Sequence, residues 1–318
     1  MAKDRTPPTW MRAARTACAG LLALGVGVFG LLFPTRWDPN ARADAVSMVG
    51  PMPLYEQLVR HWLGASGNLR AVMATDDSDW LGPWLESAGI KPSPGLPGVH
   101  LLKWTAPDGL PLVLLAMTPF DFKHGGFVGG YHVGRWPAER HPATAVNPLP
   151  AGFIEVTPEN QDTYVSTRFR LRDFVTHDQD GVWPKYLVLR TELLDKLELI
   201  AQELEREDRP ARIEVLSGFR SPQYNARAAT GPGGRRRDSQ HMYGDAADIY
   251  VDADGDGRMD DLDGDGRITV KDAEVLVAAA ERVESEHPEL VGGLAAYRPT
   301  GTHGPFVHVD ARGWRARW

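Results

Sequence analysis

The alternation of apolar and polar positions along the chain predicts a mixture of helices and strands. The clearest helix covers residues 186–207, YLVLRTELLDKLELIAQELERE, where one apolar stripe recurs at helical spacing opposite a charged face. The segment AEVLVAAAERVESE, residues 273–286, predicts a second helix. Apolar spacing from Met52 to about Trp84 also predicts helix, with a break at Gly64 to Gly67. Short apolar runs bounded by turn residues predict strands at VHLLKW, LPLVLLAM, GFIEV and TRFRL.

Two further strands carry polar residues that could do chemistry. One begins near Asp248 in DIYV, and the other is PFVHVD near the end of the chain. Side chains two apart in a strand point the same way, so His308 and Asp310 share a face. Before them, Ile213 to Leu216 reads as a buried strand, and SPQYN reads as a helix start, with Ser221 as the cap and proline at the first helical position. The expected fold class is therefore α+β, with an antiparallel sheet and helices.

The N-terminal pattern differs from the rest of the chain. An uninterrupted apolar run extends from Ala17 to Phe33 and stops at a proline. A basic flank before a short apolar run is typical of a secretory signal, and A-x-A spacing at residues 43–45 offers a cleavage site. We therefore expect residues 1–45 to be a signal peptide or an N-terminal hydrophobic anchor helix, with possible membrane contact. The basic residues of the flank are Lys3, Arg5, Arg12 and Arg15.

We therefore expect the rest of the chain to be exported, either to the periplasm or to the outer face of the inner membrane. The single cysteine, Cys18, lies inside this segment, so the exported body has no internal disulfide. Its stability must come from packing and bound metals.

Composition bounds the remaining possibilities. The 318 residues are 42% hydrophobic, enough for a sizeable core and for two globular units. The net charge of -7 argues against nucleic acid as a partner. We expect a β-rich accessory region at residues 46–160 and a second domain at residues 161–318.

Three side chains in the second domain have the chemistry of a zinc site. His241 and Asp248 lie seven positions apart, and His308 lies on the last predicted strand. Two imidazoles and one carboxylate can hold Zn²⁺ tetrahedrally and leave the fourth position open to water. Spacing alone leaves a structural role open, because paired His and Asp residues on strands also serve packing.

The motifs SGFRSPQYN, SQHMYGDAADIYV and FVHVD, with the closing Arg-Trp pair, resemble the zinc D,D-peptidases, or D-alanyl-D-alanine metallopeptidases. More narrowly, they are similar to the bacterial branch that trims peptidoglycan peptides. The resemblance covers roughly residues 165–318. It implies the LAS fold, which lysostaphin-type enzymes and the hedgehog signalling domain share. It also implies zinc ligation by His241, Asp248 and His308, with Arg220 binding the scissile carbonyl or a substrate carboxylate and Ser239 lining the same pocket.

The general base departs from the family pattern. Some members carry a Glu three residues before the last zinc-binding His, where this chain has Pro305. LAS enzymes can use a His two residues before it, where this chain has Phe306. Asp310 is the nearest replacement and His303 is a second candidate. An orienting role for Asp310, as a hydrogen-bond partner of His308, stays equally open.

An acidic tract separates the two halves of this predicted site. DLDGDGRITVKD, residues 261–272, fits the EF-hand loop, and closure by Asp is similar to dockerin loops. DADGDGRMDDLD, residues 252–263, fits the same template, but both would share Asp263, so two independent EF-hands are excluded. We expect a calcium-binding insertion at residues 252–287 that rigidifies or walls the cleft. Its expected ligands are Asp252, Asp254, Asp256, Asp261, Asp263, Asp265, the backbone carbonyl of Arg267, and Asp272.

These observations lead to one main prediction of function. We expect an exported zinc metallopeptidase that hydrolyses peptide bonds in peptidoglycan stem peptides or cross-links, as a D,D-carboxypeptidase or endopeptidase using metal-activated water. The alternative is a non-catalytic cell-wall binding module stabilised by zinc and calcium. A dockerin-like adhesion protein fits less well, because dockerins carry two separated loops.

Overall fold

The computed structural model describes residues 63–74, 97–106, 108–142, 146–227 and 237–318. The predicted signal peptide or anchor, residues 1–45, lies outside these ranges, as does most of the helix predicted between Met52 and Trp84. Within the described ranges, no helix combines the length and hydrophobicity needed to cross a bilayer.

The described residues form a mixed α+β structure, as the sequence predicts. Its strands, in chain order, are β1 (Ala71–Ala74), β2 (Gly98–Thr105), β3 (Pro111–Ala116), β4 (Thr118–Pro119), β5 (Phe127–Val128), β6 (Tyr131–His132), β7 (Gly152–Val156), β8 (Lys185–Leu187), β9 (Ile213–Ser217), β10 (Ala246–Val251), β11 (Gly293–Tyr297), β12 (Phe306–Asp310) and β13 (Ala316–Arg317). Its α-helices are α1 (Pro137–Arg140), α2 (Thr191–Arg206), α3 (Pro222–Arg227) and α4 (Val270–Glu286).

A five-stranded sheet positions the predicted zinc residues. Its strand order is β13-β11-β12-β10-β9, and β12 pairs antiparallel with both β10 and β11. Alternate residues of the two central strands, Ile249, Val307 and Val309, are fully buried in the core. Side chains at the intervening positions therefore point to the opposite face. Among them are Asp248 and His308.

The two long helices lie on the side of this sheet that carries Ile249, Val307 and Val309. Both are amphipathic, and α2 packs against α4, which in turn packs on β11 and β12. Leu197 of α2 and Leu276 of α4 are fully buried in the same core cluster as the strand residues. The helix predicted at residues 273–286 is confirmed by α4. The helix predicted at residues 186–207 is confirmed by α2 only from Thr191 onward, because Tyr186 and Leu187 belong to β8.

Two local predictions were wrong. The TRFRL segment forms no strand; its end lies in a 3-10 helix at Leu171–Phe174, where Leu171 and Phe174 are fully buried. Residues 71–74, inside the predicted N-terminal helix, form β1, which pairs parallel with β3. In both places, contacts with distant parts of the chain override the local pattern.

The described residues fall within one compact unit, Glu56–Trp318. Small sheets of order β1-β3-β2 and β4-β7-β8 precede the five-stranded sheet. Val113 of β3 and Phe153 of β7 belong to the same hydrophobic cluster as Val309. One core therefore contains residues from both sides of the expected domain boundary at residue 160.

Candidate metal centre

Three predicted ligands converge on the open face of the five-stranded sheet. Asp248 on β10 lies directly opposite His308 on β12 in the antiparallel register. His241 lies in the 3-10 helix Gln240–Tyr243, which ends at Gly244 with φ of 72° and leads into β10. The pairing of β10 with β9 shifts register between Asp248 and Ile249, and such an irregularity re-aims a side chain beside a site.

The ligand atoms form a compact triangle. His241 Nε2 lies 3.2 Å from His308 Nδ1 and 3.3 Å from Asp248 Oδ1, while His308 Nδ1 lies 3.1 Å from Asp248 Oδ1. Atoms about 2.0–2.1 Å from a tetrahedral ion lie roughly 3.3–3.4 Å from one another. The triangle and its donor set, two nitrogens and one oxygen, therefore fit a single zinc-sized ion, and all three residues are buried.

Hydrogen bonds fix which nitrogen of each imidazole faces the centre. His241 Nδ1 lies 2.7 Å from the carbonyl oxygen of Gly218, and His308 Nε2 lies 3.0 Å from Asp310 Oδ2. These nitrogens donate a proton, so His241 Nε2 and His308 Nδ1 present their lone pairs to the triangle. An oxygen acceptor on the far nitrogen of each imidazole is the usual second contact of a zinc-bound histidine.

Asp310 is enclosed by donors. Its carboxylate accepts hydrogen bonds from the backbone N–H of Gly293 at 2.7 Å and from the guanidinium of Arg312, with Nε at 2.8 Å from Oδ1. With His308 and Arg312 around it, the carboxylate is fully buried, and its pKa lies well below the usual range although burial alone would raise it. This arrangement orients His308; a base that must take a proton from solvent needs a freer carboxylate.

Arg220 reaches the centre from the loop after β9. Its guanidinium hydrogen-bonds Asp248, and its Nε donates to Ser217 Oγ at 2.8 Å. The backbone N–H of Arg220 also donates to the carbonyl oxygen of His241 at 3.1 Å, which ties the two loops together. Ser239 is the half-buried residue just before the 3-10 helix that carries His241. The structure thus brings Arg220 and Ser239 to the segments that bear the ligands.

Burial and neighbouring groups together set the charge state of the centre. Burial lowers the pKa of His241 to about 4, so the ring is neutral and can act as a ligand at pH 7. Burial opposes ionisation of Asp248, yet His241, His308 and Arg220 hold its pKa well below the usual range. His241 and Asp248 therefore have the protonation states that zinc binding requires, whereas the pKa of His308, which burial lowers, is raised overall by its hydrogen bonds to Asp248 and Asp310.

Aromatic rings continue from the metal centre along the sheet. The ring centroid of Trp318 lies 5.2 Å from that of His308, and Trp318 Nε1 donates to the hydroxyl of Tyr297 at 2.8 Å. Tyr297 stacks on Phe306 with centroids 4.6 Å apart, and His303 contacts the edge of Phe306 at 4.9 Å. We call these four residues, Trp318, Tyr297, Phe306 and His303, the aromatic wall. Of these residues, Trp318, Phe306 and His303 are already singled out by the sequence, and nothing in the sequence spacing links Tyr297 to the site.

The acidic tract forms two loops with the same turn geometry. The carboxylate of Asp252 accepts hydrogen bonds from the backbone N–H groups of Gly255, Asp256 and Gly257. The carboxylate of Asp261 accepts from those of Gly264, Asp265 and Gly266 in the same way. Carboxylate oxygens within 4.8 Å of one another group Asp252, Asp254 and Asp260 in the first loop and Asp261, Asp263 and Asp265 in the second.

Three expected calcium ligands lie outside those two groups. Asp256 accepts from Arg258 N, and Arg267 donates its backbone N–H to Asp265. Asp272 is fully buried, and its carboxylate accepts from Leu262 N and from Thr269 N at the start of α4. The loops lie between β10 and α4, and hence between Asp248 and His308 in the chain.

Comparison with known proteins identifies one segment. Residues 160–256 match the peptidase M15 family model described as peptidoglycan L,D-endopeptidase MepK. A search of curated proteins and a search of solved structures each found no match. The matched segment includes Arg220, His241 and Asp248, and it ends inside the first acidic loop, before His308. The predicted resemblance to a zinc peptidase family is confirmed for this segment; residues 257–287 of the expected calcium insertion lie outside the match.

Proposed function

We propose that this chain, a peptidoglycan peptidase by the family of its residues 160–256, is a zinc-dependent endopeptidase of peptidoglycan cross-links. The description of that family favours cleavage of an L,D bond over the D,D bond that the sequence motifs first suggested. The observation that carries the proposal is the triangle of His241, Asp248 and His308, with both far imidazole nitrogens hydrogen-bonded to oxygens.

The residues of the chain take distinct roles in this proposal. His241, Asp248 and His308 would hold a zinc ion, which would supply Lewis acidity toward a water molecule and an amide carbonyl. Arg220 is held beside the centre by Ser217 and Asp248, where its planar fork can bind a substrate carbonyl or carboxylate. Asp310 holds His308 in its ligating tautomer. The aromatic wall offers apolar faces beside the scissile bond.

The candidate proton carrier follows from exclusion. Asp310 already accepts from His308, Arg312 and Gly293, so we assign it to orientation and not to proton transfer. His303 is half-buried, and its Nδ1 lies 2.8 Å from the carbonyl oxygen of Gly304. It stays the candidate base, placed at the far end of the aromatic wall from the metal ligand.

The alternative is a zinc-stabilised binding module without catalysis. Pro305 at the position where some relatives carry a glutamate, together with the enclosed carboxylate of Asp310, favours it. The two functions differ in one result, because a module binds peptidoglycan peptides and releases no product.

We extend the proposal to the setting of the enzyme. Export across the inner membrane, by a signal peptide or anchor at residues 1–45, would bring the peptidase to its peptidoglycan substrate. A LAS-type peptidase domain spanning residues 161–318 fits the family of the matched segment, and residues 46–160 would be its accessory region.

Cross-linked muropeptide dimers test this directly. One dimer joins its two stems through an L,D bond and the other through a D,D bond, and mass spectrometry identifies the products. We expect the zinc-loaded protein to cleave the L,D dimer, His241→Ala to be inactive, and the exposed His177→Ala control to retain activity. Cleavage of the D,D dimer alone would show that the enzyme hydrolyses the D,D bond and not the L,D bond. Binding of both dimers with no product would support the non-catalytic module.

A further inference from the structure

A cavity of about 430 Å³ lies between the β5–β6 hairpin region and α3. We call it the arginine pocket; its lining includes His132, Gly134, Arg135, Arg140, Pro222 and Gln223. Its volume lies within the range of small-ligand sites, roughly 300–1,000 Å³. None of its side chains belongs to the metal centre.

The arginine pocket carries uncompensated positive charge. Arg135 and Arg140 are exposed, and no carboxylate of the described residues pairs with either guanidinium. Glu139, on the same short helix as Arg140, pairs instead with Lys123, and Asp178 accepts from Tyr131 at 3.1 Å. Two guanidinium groups in one concavity repel each other and attract an anion, and their planar forks match a carboxylate.

The walls of the arginine pocket are held rigidly. Gly134 adopts φ of 85°, and a Cβ there would lie 2.6 Å from Gln223 N, so only glycine allows the hairpin to approach α3 this closely. Gln223 N in turn donates to the carbonyl oxygen of Val133 at 3.0 Å. On the hairpin, the amide of Gln179 binds both backbone groups of His132, at 2.9 and 3.1 Å. A preformed pocket loses little affinity to the ordering of its walls.

Both walls adjoin the metal centre. Pro222 follows Arg220 by two residues, so their Cα atoms are at most about 8 Å apart. On the other wall, Trp136 follows Arg135 and donates its Nε1 proton to the carbonyl oxygen of Met242 at 2.9 Å, next to His241. A peptide bound across the centre can therefore extend into the arginine pocket.

We propose that the arginine pocket binds a free carboxylate of the substrate peptide, away from the scissile bond. The proposal rests on the function proposed above and deepens it. A cross-link joins two peptide stems, and one stem keeps its terminal carboxylate. A single stem also ends in a carboxylate, but that group lies on the stem that carries the hydrolysed bond. Recognition by Arg135 and Arg140 of a carboxylate on the second stem, away from that bond, favours cross-linked substrates and so an endopeptidase.

Steady-state kinetics with the L,D-linked dimer test the role in turnover. Arg135→Ala/Arg140→Ala should raise KM by about tenfold or more, the loss expected for charge-assisted hydrogen bonds, and leave kcat within about twofold. The matched control, Arg172→Ala/Arg206→Ala, removes two exposed cations elsewhere and should leave KM unchanged. With the dimer amidated at its carboxylates, wild type and Arg135→Ala/Arg140→Ala should have equal KM values.

Calorimetry in the inactive His241→Ala background separates this proposal from the proposed function. Loss of dimer affinity on adding Arg135→Ala/Arg140→Ala supports the carboxylate site even if wild type proves to lack peptidase activity. Equal affinity in both proteins overturns the site even if wild type cleaves the dimer. Arginine-dependent binding of peptide-free glycan strands would also overturn it, because those strands lack the peptide carboxylate.

Discussion

The orientation of His308 depends on one carboxylate. Asp310 accepts a hydrogen bond from His308 Nε2, and its carboxylate is held in place by Arg312 and by the backbone N–H of Gly293. Removing such a partner of a zinc-bound histidine costs about 10–100-fold in metal affinity or activity. The carboxylate therefore matters to zinc even though it does not belong to the ligand triangle.

Asp310→Asn should accordingly weaken zinc binding by about 10–100-fold, because a neutral amide does not replace the charged carboxylate that accepts from His308, Arg312 and Gly293. Competition against a fluorescent zinc chelator measures the affinity. The exposed Asp208→Asn serves as control and should bind zinc like wild type. If Asp310→Asn keeps wild-type affinity while losing all activity, Asp310 is a proton carrier and not an orienting residue.

Asp245 makes a pH-dependent contribution to the free energy of unfolding, and a single substitution can isolate that contribution. Burial, and then the charge of Asp310, raise the pKa of Asp245 to about 7 from the ordinary 3.8. The folded state therefore binds more protons than the unfolded state between those values, so the free energy of unfolding falls as pH rises through this window.

Urea unfolding at pH 5 and pH 7.5 measures this contribution. Asp245→Asn stays neutral at both values, so the mutant should gain stability relative to wild type on going to the higher pH. Parallel changes in the two proteins would show that Asp245 is ionised in the folded state across the range.

Among the elements, the junction between the 3-10 helix of His241 and β10 is tightly constrained. Gly244 has φ of 72°, and a Cβ there would lie 2.4 Å from the carbonyl oxygen of Val188. Gly313 has φ of 89°, but a Cβ there would have no other atom within 4 Å, so it shares the backbone conformation without the close approach.

Gly244→Ala should therefore destabilise the protein by roughly 2–4 kcal/mol, and Gly313→Ala by only about 1 kcal/mol. Chemical denaturation gives both values. Because the junction sets the position of His241 relative to Asp248, Gly244→Ala should also weaken zinc binding. Equal stability losses in the two variants would mean that the Val188 contact relaxes freely.

Calcium binding by the acidic loops stays a prediction from the sequence. Each loop groups three carboxylates within 4.8 Å, a density whose mutual repulsion a divalent cation relieves. Calcium added to zinc-loaded protein should raise the melting temperature, and Asp261→Asn/Asp265→Asn should reduce that increase. The absence of any shift in wild type at millimolar calcium would contradict calcium binding by these loops.

At the scale of the whole molecule, the sequence predicted the elements with strong periodicity or marked ends. It predicted α2 and α4 from their apolar stripes and the start of α3 from Ser221 and Pro222. It also predicted, from strand alternation, the face of the sheet on which His308 lies. It could not predict β1, because parallel pairing with β3 is a contact between distant residues. For the same reason, Tyr297 and the arginine pocket emerged only from the fold.

The central claim is that His241, Asp248 and His308 share one zinc ion. X-ray absorption at the zinc edge, on purified protein with metal content measured, tests it most directly. We expect one zinc per chain, bound by two imidazole nitrogens and by oxygen at about 2.0–2.1 Å, and loss of the imidazole signal in His308→Ala. A metal-free protein after zinc loading, or a zinc environment unchanged by His308→Ala, would contradict it.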